Sequence, residues 1–208
     1  MGSYADDALF MSRNNIEYVE LISDDGKSKV MVIPAWQGRV MTTSAAGDEG
    51  DSYGWINYSF IKKRQIDLQF NPVGGEERFW LGPEGGVFSL YFRQGEKQIY
   101  KNWKVPPVLD IEAFKIQSQS KNCICLTKEG CLTNACGTTF YLNIKRTISL
   151  LDINEFAASF NLEFPKDIKA VAYKSDNQIT NIGNESWNKE TGLISVWMLS
   201  MFNSTSAT

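Results

Sequence analysis

Residues 71–86, NPVGGEERFWLGPEGG, concentrate the residue types that could bind a ligand in this 208-residue chain. The segment contains five glycines, two prolines, three glutamates, one arginine and one tryptophan. A phosphate loop would need GK followed by Ser or Thr before a helix, or G-x-G-x-x-G between a strand and a helix. Here Gly74-Gly75 precedes two glutamates, whose charge repels phosphate, and the next segment, VFSLYF, is predicted to be a strand. Charge and context therefore exclude a phosphate loop.

The same segment suits a carbohydrate site. Sugars present hydroxyl groups in fixed directions and an apolar face, so their sites combine carboxylates and arginines with aromatic rings. In an extended segment Arg78 and Trp80 share one face, and the glycines beside them leave space for a ligand. The leading candidate contacts are Arg78, Trp80, Glu77 and Glu84. The alternative is a salt-bridged loop with Trp80 in the core.

A second group of candidates lies in WQGRVMTTSAAGDEGDSYGWINYSF, residues 36–60. Trp55 and Asn57 stand two apart on a predicted strand and would face one ligand, and Arg39 is the third candidate. The acidic run GDEGD lacks the spacing of a calcium loop, so a solvated turn is expected there.

The composition excludes several classes of chemistry. The chain has no histidine, so no Ser-His-Asp or Cys-His mechanism and no histidine-bearing zinc site is available. The four cysteines follow a C-x-C-x5-C-x4-C pattern that differs from zinc spacings, and we predict neither metal nor cofactor. Their redox state is open; a Cys125–Cys131 disulfide across a hairpin is one possibility. These cysteines are Cys123, Cys125, Cys131 and Cys136.

Charge and hydropathy limit the partners. Twenty-one Lys and Arg stand against 24 Asp and Glu, and no basic run is present, so nucleic acid is not an expected partner. No apolar stretch has the length of a membrane span, so membrane insertion is not expected and the chain should be soluble. A periplasmic or exported location would need a signal sequence removed ahead of Met1. The oligomeric state is not indicated.

The elements that must position these candidates are predominantly strands. A short helix is predicted over residues 6–13, capped by Ser3 or Asp6. Residues 137–164 alternate apolar and polar side chains in two arms around 152–154, which predicts a long antiparallel hairpin. No βαβ spacing appears, so we expect an all-β antiparallel sandwich. The other predicted strands lie in IEYVELIS, SKVMVIPAW, GRVMTTSA, VFSLYF, EAFKIQSQ, NCICLTK, IKAVAYKSDNQITNIG and GLISVWMLSM.

Residues 1–208 are predicted to form one domain. The apolar strand GLISVWMLSMF comes at the end of the chain with few partners left over. We therefore expect a sandwich that lacks its C-terminal strands.

Four segments carry a family resemblance: GRVMTTSAAGDEGDSYGWIN, GGEERFWLGPEGG, FYLNIKRTISLLD and SDNQITNIGNESWNKETGLISVWMLSMF. In this order they resemble an uncharacterised bacterial family that is similar to the galactose mutarotase-like (aldose 1-epimerase-like) superfamily. The resemblance covers nearly the whole chain. It implies an antiparallel β-supersandwich that binds carbohydrate, and GGEERFWLGPEGG looks like the Gly-Gly-Glu-Arg-x-Trp-x-x-Pro-Glu pattern of several branches.

The resemblance carries over no catalytic residue. An aldose epimerase removes the anomeric hydroxyl proton with a glutamate while a histidine protonates the ring oxygen. This chain has no histidine, and the family's glutamate lies beyond the segment that matches. Three functions therefore stay open. The first is carbohydrate binding, the second is a mutarotase-like or other sugar-modifying enzyme, and the third is a structural or interaction domain.

Overall fold

The structure is a computed structural model that describes residues 2–165 and 167–204. The described chain is β-rich, and its strands pair in antiparallel sheets, as the sequence predicts. In chain order the elements are α1 (Tyr4–Arg13), β1 (Val19–Ile22), β2 (Lys29–Ile33), β3 (Arg39–Ser44), α2 (Tyr58–Lys62), β4 (Arg78–Gly82), α3 (Pro107–Asp110), β5 (Lys115–Gln119), β6 (Cys123–Thr133), β7 (Thr139–Leu150), α4 (Ile153–Ser159), β8 (Tyr173–Asn181) and β9 (Ser195–Leu199).

The first helix starts where its capping residues dictate. The Ser3 side chain accepts a hydrogen bond from the Asp6 backbone N–H, and the Asp6 carboxylate accepts one from the Ser3 N–H. This reciprocal pair is a capping box, which confirms the predicted helix and its Ser3 cap. None of the described helices is long and apolar enough to span a membrane.

The sheet β1-β2-β3 is the middle layer of the molecule. Every side chain of β2 and β3 is buried because both faces of this sheet are covered. One face, which includes Met31, Ile33 and Met41, packs against Met11 of α1 and Ile61 of α2. The other face packs against the sheet β5-β6-β7-β8 in a larger core. Core residues of that larger cluster include Val30, Val32, Val40, Leu126, Leu142, Ile144 and Ile148.

Strand β7 confirms the first arm of the predicted hairpin, whereas the prediction of a strand for the second arm is wrong. Its alternation buries Phe140, Leu142, Ile144, Ile148 and Leu150, but β7 pairs with β6 and β8. The predicted second arm instead begins as helix α4. The Asp152 carboxylate caps this helix by accepting from the backbone N–H groups of Asn154 at 2.8 Å and Glu155 at 3.0 Å. This local cap outweighs the alternating pattern.

Strand β4 lies between strand β3 and strand β9. Beside its first residue, Glu77 and Val40 exchange backbone hydrogen bonds of 3.0 and 3.1 Å, which place β4 next to β3. Along its length β4 pairs with β9. The predicted strand VFSLYF is wrong. This segment folds back on the preceding turn, with the Leu90 N–H donating to the Pro83 carbonyl at 3.0 Å and the Ser89 hydroxyl to the Glu84 carbonyl at 2.6 Å.

The four cysteines are free thiols. Cys125 and Cys131 both lie on β6, so a disulfide between them is excluded. Six residues of an extended strand span about 20 Å, far beyond the reach of a disulfide. The hairpin that this pairing assumed has its turn after Cys131, between β6 and β7.

Gly74 and Gly75 lie where the chain packs closely against Trp55 and Arg39, so they leave no space for a ligand. Both have positive φ, 91° and 116°. A Cβ on Gly74 would lie 2.3 Å from the Trp55 carbonyl oxygen, and one on Gly75 would lie 2.5 Å from Arg39 Cδ. By contrast, nothing lies within 4 Å of a Cβ placed on Gly86, where φ is 83°. The two ends of the glycine-rich segment therefore have different roles.

Replacing Gly75 by Ala should lower the free energy of unfolding by about 3–5 kcal/mol, because strained backbone and overpacking add. The matched change Gly86→Ala adds only the backbone strain and should cost about 1–2 kcal/mol. Urea denaturation followed by tryptophan fluorescence measures both values. Equal losses for the two variants would contradict the close packing at Gly75.

Candidate functional site

Three arginines are buried where the sheets meet. Arg39 of β3, Arg78 of β4 and Arg146 of β7 are each at most 2% exposed. A guanidinium group keeps its charge in proteins, so a buried one requires carboxylate or carbonyl partners. The partners of these three groups determine which segments the structure brings together.

Arg78 pairs with Asp110, the last residue of α3. The Arg78 Nη2 donates to the Asp110 carboxylate at 2.8 Å and to the Leu109 carbonyl at 3.0 Å. The second Asp110 oxygen accepts from the backbone and side-chain N–H groups of Asn71 at 3.0 and 2.7 Å. Burial lowers the pKa of Arg78, and the Asp110 charge acts against that change. The pair holds α3 and the start of the glycine-rich segment against β4.

Arg146 pairs with Glu77 across the core. Arg146 Nη2 donates to one Glu77 oxygen, and its Nε donates to the Gly38 carbonyl at 3.0 Å. Its Nη1 donates to the Asn177 side chain at 2.6 Å, and the second Glu77 oxygen accepts from the Ser175 hydroxyl at 3.0 Å. Burial lowers the pKa of Arg146, and the Glu77 charge opposes this. Glu77 therefore connects the β4 end of the site to the edge strand β8.

Arg39 is the exception among the three. It forms none of the ion pairs found in the described residues, and its Nη1 donates to the Gly74 carbonyl at 2.7 Å. Its Nε is buried without a hydrogen-bond partner. Burial lowers its pKa well below the usual value, and the charge of Arg78 acts in the same direction.

Glu76 is a buried carboxyl group with a shifted titration. It is 3% exposed and accepts hydrogen bonds of 2.9 and 3.1 Å from the Thr43 hydroxyl. Burial raises its pKa to about 7, while the Thr43 and Tyr173 hydroxyls act against this rise. Burial and the Glu76 charge also raise the pKa of Tyr173. Such a carboxyl could exchange a proton near neutral pH, but it lines neither the groove nor the cavity described below.

A chain of aromatic rings runs from the buried Trp80 to the surface. Trp80 lies 5.3 Å from Tyr91 between ring centroids, and Tyr91 stacks on Trp103 at 5.5 Å with an interplanar angle of 8°. Trp103 in turn stacks on Tyr100 at 6.3 Å and 14°. Tyr100 is 75% exposed. We call Trp80, Tyr91, Trp103 and Tyr100 the aromatic ladder.

Arg78 holds the buried end of the aromatic ladder. Its guanidinium carbon lies 4.2 Å from the centroid of the Trp80 ring and 5.0 Å from that of Phe70. Trp80 is fixed at its other side by Glu84, whose Oε1 accepts from the indole N–H at 2.7 Å. Burial and cation–π contact together fix the orientation of Trp80.

An open groove of about 550 Å³ lies at the exposed end of the aromatic ladder. Tyr100, Trp103 and Glu84 line it, and its floor includes Gly85. The Gln98 side chain fixes the backbone beside it, since its amide donates to the Gly86 carbonyl at 2.7 Å and accepts from the Gly86 N–H at 2.8 Å. The groove therefore combines flat aromatic rings, a carboxylate and accessible backbone. The remaining lining residues are Phe92, Gln98 and Ile99.

The residues singled out in the sequence fall into three places. Glu84 alone lines the groove, and Trp80 lies directly behind it. Arg78, Glu77 and Arg39 belong to the buried arginine cluster. Arg78 and Trp80 do share one side of a strand, where they contact each other.

The predicted strand around Trp55 and Asn57 is wrong. Trp55 lies outside the strands, and Asn57 is the N-cap of α2, with its side-chain oxygen accepting from the Phe60 N–H at 3.2 Å. The side-chain amide of Asn57 donates to the Pro72 carbonyl at 2.9 Å. Asn57 thus stabilises a helix start, a role typical of asparagine at that position. Trp55 is 39% exposed, and its backbone packs against the glycine pair at 74–75.

Sequence reasoning missed Tyr100, Trp103 and Asp110. The segment YKNWKVPPVLD contains all three, and its Tyr-x-x-Trp spacing is a sign that could have been read. Tyr100 and Trp103 come together because residues 100–102 form one turn of 3-10 helix, in which side chains three apart eclipse.

No cluster of three or more Cys, Asp or Glu residues suited to a metal ion occurs within residues 2–165 and 167–204. Asp48, in the predicted solvated turn GDEGD, forms an ion pair with Lys29, with 2.6 Å between Oδ1 and Nζ.

The fold and the groove define a β-rich protein of antiparallel sheets with an aromatic and carboxylate-lined surface site. The chain belongs to the Family of unknown function (DUF6786), which matches residues 2–208. No curated protein and no solved structure matches the chain.

The shifted pKa of Glu76 makes stability depend on pH. Its pKa of about 7 in the folded state lies above the ordinary 4.5 of the unfolded chain, so the folded state keeps a proton that the unfolded state releases. The free energy of unfolding should therefore fall as pH rises from 4.5 to 7, by about 3 kcal/mol from this group.

Glu76→Gln removes that contribution and serves as the matched control. Urea denaturation at a series of pH values should show wild-type stability decreasing relative to Glu76→Gln between pH 4.5 and 7 and running parallel above it. A constant difference across that range would contradict a protonated Glu76.

Proposed function

We propose that the protein binds carbohydrate in the groove beside Tyr100, within a fold of the galactose mutarotase-like supersandwich type. The observation that carries the proposal is the aromatic ladder, which ends in the half-buried Trp103 ring and the exposed, nearly parallel Tyr100 ring in the groove that Glu84 also lines. The apolar face of a sugar ring packs on such rings, and its hydroxyl groups donate to a carboxylate.

The groove has the dimensions of a ligand site. Its volume of about 550 Å³ lies within the range of roughly 300–1,000 Å³ for small-molecule pockets. Its open form suits a chain of sugar units that extends past both ends. Gly85 lines the groove, and its lack of a side chain allows close approach of a ligand to the backbone there.

Rigidity is the second support for this proposal. Tyr100 has few rotatable bonds, and its ring rests on Trp103, which rests on Tyr91. The Tyr91 hydroxyl donates to the Leu81 carbonyl at 2.6 Å and fixes that ring to the end of β4. A preorganised aromatic surface loses little conformational entropy on binding. Arg78 and Trp80 thus contribute from beneath the surface.

The Glu84 carboxylate is oriented for a sugar hydroxyl. One of its oxygens accepts a hydrogen bond of 2.7 Å from the Trp80 indole N–H, and this bond fixes the direction of the carboxylate. A carboxylate has several further lone pairs, and these are available to donors in the groove. The arrangement supports binding of a polyhydroxylated ligand more directly than it supports catalysis, because Glu76 lies outside the groove.

Substituting Tyr100 by Ala should weaken saccharide binding about tenfold or more, because the stacking surface is lost. Glu84→Gln should weaken it about five- to tenfold by removing a charge-assisted acceptor. A panel of immobilised neutral and acidic oligosaccharides identifies the best-bound sugar, and calorimetry with that sugar measures the variants.

Tyr141→Ala is the matched control, since Tyr141 is a 55% exposed tyrosine on β7 that lines a different cavity. Its affinity should equal that of the wild type. Unchanged binding by Tyr100→Ala would place the sugar elsewhere. Absence of binding to the whole panel would favour a structural or interaction domain.

A further inference from the structure

A second cavity, of about 400 Å³, lies between the C-terminal end of α1, the turn after β2 and helix α2. It shares no lining residue with the groove at Tyr100. Most of its wall is apolar, which favours a ligand with a hydrocarbon or aromatic body. The apolar lining includes Ile16, Trp36, Phe60, Ile61, Ile66 and Val73.

The inner wall of the cavity offers no free charge. Asp110 and Asn71 line it, and both are buried. The Asp110 oxygens are already occupied by Arg78 and by the two N–H groups of Asn71. The pair therefore neutralises this end of the cavity, and a charged ligand group would not be directed there.

The mouth of the cavity is cationic. Arg64 lines it, and its Nη2 donates to the Arg13 carbonyl at 3.2 Å, which holds the guanidinium between α1 and α2. Neither Arg64 nor Arg13 takes part in an ion pair within the described residues. Four further N–H donors of the Arg64 fork remain for an anionic partner.

The backbone at this mouth adopts a costly conformation. Arg64 has φ of 50° and follows the C-cap Lys63 of α2, a position that usually carries glycine. Asn15, the matching residue after α1, has φ of 57° and also lines the cavity. A left-handed arginine costs about 1 kcal/mol or more relative to glycine. These left-handed residues end α1 and α2 at the cavity, where both Asn15 and Arg64 belong to its lining.

We propose that this cavity binds a small apolar carboxylic acid, with its carboxylate on Arg64 and its apolar body against Trp36 and Phe60. An arginine fork matches a carboxylate in a bidentate geometry. The apolar wall favours an apolar ligand body. Because Arg78 and Asn71 already occupy the Asp110 oxygens at the inner wall, the single charge of the ligand lies at the mouth.

Naphthalene-1-acetate and its neutral amide, naphthalene-1-acetamide, test the proposal by calorimetry on the full chain. The acid should bind the wild type saturably and more tightly than the amide. Arg64→Gln should weaken binding of the acid about tenfold and leave that of the amide unchanged. Ala35→Phe, an exposed change at the rim, should block both ligands.

Arg13→Gln is the control, because Arg13 is exposed and nearby but does not line the cavity. It should bind the acid within about twofold of the wild type. Urea denaturation of each variant checks that it is folded, and Arg64→Lys should recover part of the lost affinity. The proposal is overturned if the acid and amide bind equally, if Arg64→Gln binds like the wild type, or if the acid shows no saturable binding.

Discussion

A buried ion pair between Arg78 and Asp110 organises the centre of the molecule. A guanidinium group cannot lose its charge in a protein interior, so a buried one needs carboxylate or carbonyl partners, and Arg78 has both in Asp110 and Leu109. Asp110 is 32 residues away in the chain and 5% exposed, and it reaches Arg78 because α3 ends against β4. The pair is therefore a constraint on where α3, β4 and the segment around Asn71 can lie. A misplaced α3 would leave two unpaired charges in the core.

The arginine cluster and the aromatic ladder form one physical unit. Arg78 contacts the face of Trp80, so neutralising the charge and orienting the ring happen at the same place. Trp80 then sets the position of Tyr91, and through it that of Trp103 and Tyr100. Arg78 and Asp110 hold α3 against β4, and in the same way Arg146 and Glu77 hold the edge strand β8 beside the start of β4. The proposed sugar surface is thus shaped by charges that a ligand in the groove does not touch.

Local signals in the sequence predicted the parts of the fold that depend on neighbours in the chain. The capping residues of α1 and the alternation along β7 are of this kind. The helix α4 was missed because Phe156 and Ala158 fit an alternating pattern as well as a helical turn, and the Asp152 cap decided the outcome. Pairings between distant residues left no trace in the pattern. For this reason Arg78 and Trp80 are correctly predicted to share one strand face, while Asp110, the distant partner of Arg78, could not be foreseen. Tyr100 and Trp103 did leave a local sign, the Tyr-x-x-Trp spacing.

A double-mutant cycle on Arg78 and Asp110 measures how strongly the two buried charges depend on each other. Arg78→Met leaves a buried carboxylate and Asp110→Asn leaves a buried guanidinium, so each single change should lower the free energy of unfolding by about 3–5 kcal/mol. The double variant buries neither charge, and Asn at position 110 can still accept from Asn71. The double variant should therefore be no less stable than either single variant, as measured by urea denaturation. Losses that simply add in the double variant would contradict it.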